Sequence, residues 1–194
     1  MIGPFEADDN ATSLAPEERN GLIPLHVTLR SELNELEQLN ILEADQWAFQ
    51  RRRNVLGEPF LRGLHRRMFN HVWRWAGQYR TTERNFGLPH YRILPEVMQI
   101  IDDVKYWIEH ETYPPDEIAV RYHHRLVLVH PFANGNGRWS RMAADLLAIQ
   151  LGRPRFTWGS SNLQPVGELR RHYIDALHAA DDHDIAPLVA FARS

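Results

Sequence analysis

The stretch His130–Arg141, HPFANGNGRWSR, places a histidine ahead of two glycines that flank an asparagine, followed by two arginines three residues apart. Before it, apolar residues recur at a helical period from Pro115 to Val129. After it, a second apolar stripe runs from Trp139 to Ile149. The stretch therefore predicts a short connection between two helices, and with it a helical fold.

The composition of this connection predicts an anion site. Arg138 and Arg141 share one face at the start of the second helix, which we expect to begin near Arg138. A helix N-terminus already carries partial positive charge, so two cations there are unfavourable unless an anion is bound. Gly135 and Gly137 allow successive backbone N–H groups to turn toward one point. Together these features suit a polyphosphate.

His130 stands just upstream, at the end of the preceding helix. An imidazole with a pKa near ~6.5 can accept a proton at neutral pH, which implies attack by a hydroxyl on the bound phosphate. Phe132 is expected to be an apolar anchor for the loop. A plainer interpretation stays open: an ordinary glycine-containing connection, with Arg141 paired to Asp145 and His130 capping its helix.

The rest of the chain predicts an all-α fold with one small hairpin. Helical periodicity begins near Ser31, Pro59, Pro95, Pro115, Arg138, Pro165 and Pro187. The helix from about Pro59 is expected to end at Gly77. Between Gln78 and Leu94 the period fails, and YRTTERNFGLPHYRIL predicts two extended pieces around a Gly-Leu-Pro turn. Residues 1–27 are expected to form an arm with a short helix at Pro16, and residues 28–194 one domain.

Bulk composition limits the function. The 194 residues, 43% of them hydrophobic, suffice for one core, and the absence of cysteine excludes disulfides and thiolate chemistry. The net charge of −3 gives no general attraction to nucleic acid or to an anionic membrane. With no long apolar run and no signal peptide pattern at the start, we expect a soluble, cytoplasmic protein. His123, His124 and His130 lack the spacing of a zinc site.

HPFANGNGRWSR resembles the signature of the Fic family, His-x-Phe-x-(Asp/Glu)-Gly-Asn-Gly-Arg-x-x-Arg. Upstream, RSELNELEQLNI and LHRRMFNHVWRWAGQYR resemble the family's first core helix and the helix that leads to Trp-Ala-Gly and an arginine. Downstream, YIDALHAADDHDIAPLVAF is similar to its closing helices. The resemblance covers about residues 28–192.

The resemblance implies a Fic fold that binds ATP with Mg²⁺ or Mn²⁺. It implies transfer of AMP to a tyrosine, serine or threonine hydroxyl of a target protein, with release of pyrophosphate. By position, His130 would deprotonate that hydroxyl. Gly135, Asn136 and Gly137 would form the anion hole, and Arg138 and Arg141 would hold the β- and γ-phosphates.

The expected hairpin, about Thr82 to Ile93, would correspond to the family's flap, which pairs with an extended segment of the target by strand addition. Its docking residues would be Thr82, Glu83, Arg84, Asn85, Phe86 and Gly87. An ordinary surface hairpin is the alternative.

Asn134 departs from the family signature, which has Asp or Glu there as a magnesium ligand. An amide oxygen can coordinate the ion but carries no formal charge, so metal affinity should fall. Two alternatives to AMP transfer therefore stay open: a nucleotide-binding toxin–antitoxin interaction protein with weak or no catalysis, and a Fic-fold enzyme of another transfer or of AMP removal.

Regulation in the family often uses a Ser/Thr-x-x-x-Glu-Gly/Asn helix whose glutamate pairs with the second signature arginine. SLAPEE offers Ser13 and Glu17 at that spacing, although Glu18 stands where Gly or Asn is expected. Glu17 is thus a candidate inhibitory residue, and a separate antitoxin protein is the other possibility. The resemblance also suggests a bacterial toxin.

Overall fold

The computed structural model describes residues 15–83, 87–160 and 166–194, and these contain eight α-helices and one short 3₁₀ helix. The helices are α1 (Pro16–Arg19), α2 (Arg30–Phe49), α3 (Glu58–Phe69), α4 (Ile93–Glu109), α5 (Pro115–Val129), α6 (Asn136–Gln150), α7 (Val166–Asp181) and α8 (Ala186–Arg193), with the 3₁₀ turn at His90–Arg92. The predicted all-α class is confirmed. None of the helices in these three ranges has the length and apolar character to cross a bilayer.

Helix α6 lies at the centre of the packing, against α5, α3 and α2. From Trp139 to Ala148 every side chain except that of Arg141 is buried. Seven of these ten residues are apolar, and a helix with apolar side chains on most of its faces has to be enclosed by others, which explains its position. The indole N–H of Trp139 donates to the Leu61 carbonyl at 2.9 Å and ties α6 to α3.

Helix α3 ends earlier than the sequence predicts. It stops at Phe69, and residues 70–77 form turns instead of continuing to Gly77. The reason is tertiary: the backbone around Trp73 pairs with Leu22 in an isolated antiparallel bridge, with Ile23 N–H donating to the Val72 carbonyl at 2.9 Å. A helix through Trp73 would remove those partners.

The predicted hairpin is wrong in its second half. His90–Arg92 form the 3₁₀ turn, and Ile93 already begins α4, whose buried face includes Ile93 and Val97. The predicted turn at 87–89 has no regular structure, and residues 84–86 lie outside the described part of the chain. Within the described residues the Leu22–Trp73 bridge is the single β pairing, and the sequence did not indicate it.

Candidate functional site

The loop between α5 and α6 is held by its own residues. His130 ends α5 with left-handed backbone angles, φ 52° and ψ 59°, and Gly135 precedes α6 at φ 78°. The buried side chain of Asn136 accepts from Phe132 N–H at 2.9 Å and donates to the Phe132 carbonyl at 2.8 Å. The side-chain amide of Asn136 therefore closes the loop. The backbone N–H of Asn136 is the group that remains available for an anion hole. Helix α6 begins at Asn136, two residues earlier than expected.

His65 of α3 supports the loop from beneath. Its ring stacks on Phe132 with centroids 3.7 Å apart, so Phe132 is the predicted apolar anchor. Nδ1 accepts from Gly77 N–H at 3.0 Å, which leaves Nε2–H to donate to the Asn134 carbonyl at 3.0 Å. Burial lowers the pKa of His65 to about 3, so the ring stays neutral. No local pattern around His65 indicated this role.

A cleft of about 850 Å³ opens over the loop. The residues that line it include His130, residues 134–138 and Arg141. Trp158, Leu169 and Tyr173 contribute apolar and aromatic surface to the same cleft. The structure therefore brings together all the candidate catalytic and phosphate-binding residues that the sequence indicated. A ligand that combines an anionic group with a flat apolar group would suit this lining.

Arg141 points into this cleft from an otherwise buried stretch of α6. Its Nε donates to the Gly137 carbonyl at 3.2 Å, and its guanidinium carbon lies 5.4 Å from the centre of the Tyr173 ring. The expected alternative pair with Asp145 does not form. Asp145 instead accepts from Arg155 at 3.0 Å and from the Trp158 indole at 2.9 Å. No described carboxylate pairs with Arg141, so its charge faces the cleft.

Arg138 has a different environment. Its Nη2 lies 2.7 Å from Oε2 of Glu37, a side chain of α2 that is only 3% exposed. The other oxygen of Glu37 accepts from the Trp73 indole at 2.6 Å. A buried carboxylate needs such partners, so Arg138 serves α2 as well as the cleft. Sequence reasoning missed Glu37 because its partner lies about a hundred residues away.

Asn134 fits a metal site poorly. Its side-chain oxygen accepts from Gly135 N–H at 2.6 Å, and its backbone carbonyl accepts from His65. The Asn134 side chain thus offers one uncharged oxygen, which already accepts a hydrogen bond. The described residues also contain no group of three or more His, Asp or Glu side chains suited to hold a metal. The side chains in the described part of the chain therefore do not form a magnesium site by themselves.

The flap region is described only at its two ends. Thr82 donates its hydroxyl proton to Glu18 of α1 at 2.9 Å, and Glu83 pairs with the His90 ring at 2.6 Å. Gly87 lies against His130: a Cβ added to it would be 2.6 Å from the His130 Cβ. Arg84, Asn85 and Phe86 fall outside the described residues.

Glu17 does not reach the phosphate-binding side of the cleft in this structure. It is exposed on the four-residue helix α1 and forms no ion pair with Arg141. Its neighbour Glu18 points instead to Thr82. Ser13, the other half of the expected inhibitory motif, lies outside the described residues.

Comparisons with known proteins agree on one family. Residues 55–148 match the Fic/DOC family. The chain is 37% identical over 122 residues to protein adenylyltransferase fic-1 of Caenorhabditis elegans, covering 60% of this chain but 22% of that relative's length. The solved structure of residues 134–508 of C. elegans Fic-1 superposes with a TM-score of 0.64 at 26% identity, covering 91% of this chain and 51% of that one.

A second solved structure supports the fold. The BepC effector protein of Bartonella tribocorum, with bound AMPPNP, has a TM-score of 0.68 at 18% identity and covers 92% of this chain and 97% of that one. The matched residues 55–148 contain the whole loop from His130 to Arg141. Residues 55–148 therefore correspond to a domain of the Fic/DOC family.

Proposed function

We propose that this protein transfers AMP from ATP to a hydroxyl side chain of a target protein. The single observation that carries the proposal is the convergence on one cleft of His130, the backbone of residues 135–137 and the guanidinium of Arg141, which pairs with no described carboxylate. The relative from C. elegans is named a protein adenylyltransferase, and the BepC structure holds an ATP analogue. Both support the same reaction here.

In the proposed reaction the neutral His130 imidazole accepts the proton of the target hydroxyl. The hydroxyl oxygen then forms a bond to the α-phosphorus of ATP, and the bond from that phosphorus to the bridging oxygen breaks. Pyrophosphate leaves with the electron pair. Backbone N–H groups of Asn136 and Gly137 and the Arg141 guanidinium stabilise the phosphate charge, because the Gly135 N–H already donates to Asn134. Arg138 assists from its place beside Glu37.

Mg²⁺ or Mn²⁺ enters this proposal with the nucleotide. Because Asn134 provides one neutral oxygen, the phosphates of the nucleotide have to supply most of the ligands of the metal ion. The target would dock at the flap, for which Thr82, Glu83 and Gly87 form the described ends. We also propose that the protein is located in the cytoplasm and acts as a toxin that an antitoxin protein binds.

A second candidate is favoured by Asn134 itself. The Asn134 side-chain oxygen accepts from the Gly135 N–H, which is then less available to bind a phosphate. The same oxygen carries no formal charge, which weakens metal binding. A protein that binds nucleotide and a partner, with little or no transfer, would fit this loop. An enzyme of a different transfer on the same fold is the third candidate.

ATP labelled separately at the α- and γ-phosphates distinguishes these candidates. The protein is incubated with either label, a divalent cation and a bacterial lysate. We expect only the α-phosphate label to be incorporated into protein. In His130→Ala we expect that incorporation to fall by about 10²-fold or more. Binding of ATP without α-label in any protein would favour the second candidate. γ-label in a protein would overturn the assignment of AMP transfer.

A further inference from the structure

Arg80 joins three parts of the site through one guanidinium group. The residue is 5% exposed and lies just after the Trp-Ala-Gly turn. Its Nε donates to the His130 carbonyl at 2.7 Å and its Nη1 to the Thr82 carbonyl at 2.8 Å. Its Nη2 donates to the Leu88 carbonyl and, at 3.5 Å, reaches the Val129 carbonyl.

These contacts support the backbone of the candidate base. The last carbonyls of a helix have no partner inside the helix, and Val129 and His130 stand at that end of α5. His130 also adopts a left-handed conformation, which is unfavourable for a residue with a Cβ. The Arg80 side chain supplies donors for both carbonyls. The Arg80 backbone N–H donates to the Pro131 carbonyl at 2.9 Å, so the chain on both sides of the His130 peptide is held.

The same guanidinium holds both ends of the flap segment. Thr82 and Leu88 lie on opposite sides of residues 84–86, and their carbonyls accept from one planar group. Leu88 N–H also donates to the Val129 carbonyl at 3.3 Å. Any displacement of the flap ends therefore disturbs the end of α5, and the reverse is also true.

We propose that Arg80 is a positioning residue that keeps the flap and His130 in register, so that a hydroxyl docked at the flap meets the imidazole. The inference rests on the proposed AMP transfer. The residue has to be arginine because its fork presents five N–H donors in one plane, whereas lysine offers a single point charge. Arg80→Lys keeps the charge and removes the fork.

The test compares Arg80→Lys with the control Arg62→Lys. Arg62 also donates from Nε to a backbone carbonyl, that of Gly77, at 2.9 Å, and its other described partners are Glu58 and the Tyr79 ring rather than His130 or the described ends of the flap. For Arg80→Lys we expect kcat for α-label transfer to fall about 10²-fold, the order expected for a misplacement of about 1 Å. The KM for ATP and the Kd of ATP by calorimetry should stay within about threefold, because no phosphate-binding group changes. The control should keep the wild-type kcat.

Hydrogen exchange provides a readout that does not depend on activity. In Arg80→Lys the Leu88 amide should lose protection while amides in the middle of α6 keep theirs, and Arg62→Lys should change neither. If the wild-type protein transfers no AMP, the proposed function fails and exchange alone decides whether Arg80 couples the two segments. Wild-type kcat together with unchanged Leu88 protection in Arg80→Lys would overturn the inference. A loss of transfer fully explained by weaker ATP binding or by unfolding would overturn it as well.

Discussion

Arg138 and Arg141 carry the same charge on one face of α6, yet they have different partners. Arg138 lies 2.7 Å from the buried carboxylate of Glu37, whereas Arg141 pairs with no described carboxylate and faces the cleft. Because the carboxylate of Glu37 already balances the positive charge of Arg138, that charge is less available to bind an anionic ligand. Arg138 therefore contributes to the fold, whereas Arg141 is available for the proposed phosphate ligand.

Alanine substitutions should separate these two roles. Arg138→Ala leaves Glu37 with the Trp73 indole as its remaining polar partner, so the free energy of unfolding should fall by about 1.5–3 kcal/mol in urea titrations. Arg141→Ala should leave stability nearly unchanged and raise the Kd of ATP about tenfold or more in calorimetry. Equal effects of both variants on stability and on ATP binding would contradict this division.

Asn134 should limit the affinity for the divalent cation. Asn134→Asp restores a formal charge at a position where only a neutral oxygen is present, so the half-saturating Mg²⁺ concentration for transfer should decrease several-fold. The measurement is a magnesium titration at fixed ATP, with Asn134→Ala as the control that removes the oxygen altogether. An unchanged magnesium dependence in Asn134→Asp would show that this side chain does not meet the ion.

At the scale of elements, the end of α5 and the flap are packed so closely that one methyl group matters. Gly87 has φ 88°, and an added Cβ would lie 2.6 Å from the His130 Cβ. Gly152 has nearly the same conformation, φ 77°, with no atom within 4 Å of its added Cβ. The two glycines share a backbone requirement and differ only in their surroundings.

Gly87→Ala should therefore reduce AMP transfer at least about tenfold, whereas Gly152→Ala should not. Each variant should lose about 1–2 kcal/mol of stability, because alanine is unfavourable at positive φ. Label transfer and urea unfolding are measured on both variants. Equal transfer rates would mean that the contact between Gly87 and His130 is relaxed without consequence.

For the whole molecule, two buried neutral histidines set the response to acid. Burial lowers the pKa of His65 to about 3 and that of His123 well below its usual value. An unfolded histidine binds a proton near pH ~6.5. As the pH falls below that value the unfolded state takes up protons that the folded state does not, so stability is complete above pH ~6.5 and declines below it.

Urea unfolding at several pH values tests this directly. Between pH 6.5 and 5 the free energy of unfolding should fall with a slope of up to ~1.4 kcal/mol per pH unit for each histidine. His123→Gln should reduce the slope by about half, while His110→Gln, on the surface, should not. Carboxylates such as Asp116, whose pKa its arginine partners lower to about 2, titrate below this range. A flat profile would contradict the assignment.

Local sequence determined the helices and the loop of the site. Periodic apolar residues identified seven of the eight described helices, and Pro16 the short one, because the side chains that pack on one face recur along a single segment. The histidine, the two glycines and the two arginines of the loop also lie within a dozen residues, so their spacing was sufficient to predict an anion site beside His130.

Only the tertiary structure decided which groups complete that loop. Glu37, His65 and Arg80 each bind it from another segment, and α3 ends at Phe69 because the chain near Trp73 pairs with Leu22. Buried polar groups find partners by proximity in space, and no local pattern encodes those distances. The sequence by itself therefore determined the chemistry of the site, and long-range packing determined how its parts are held.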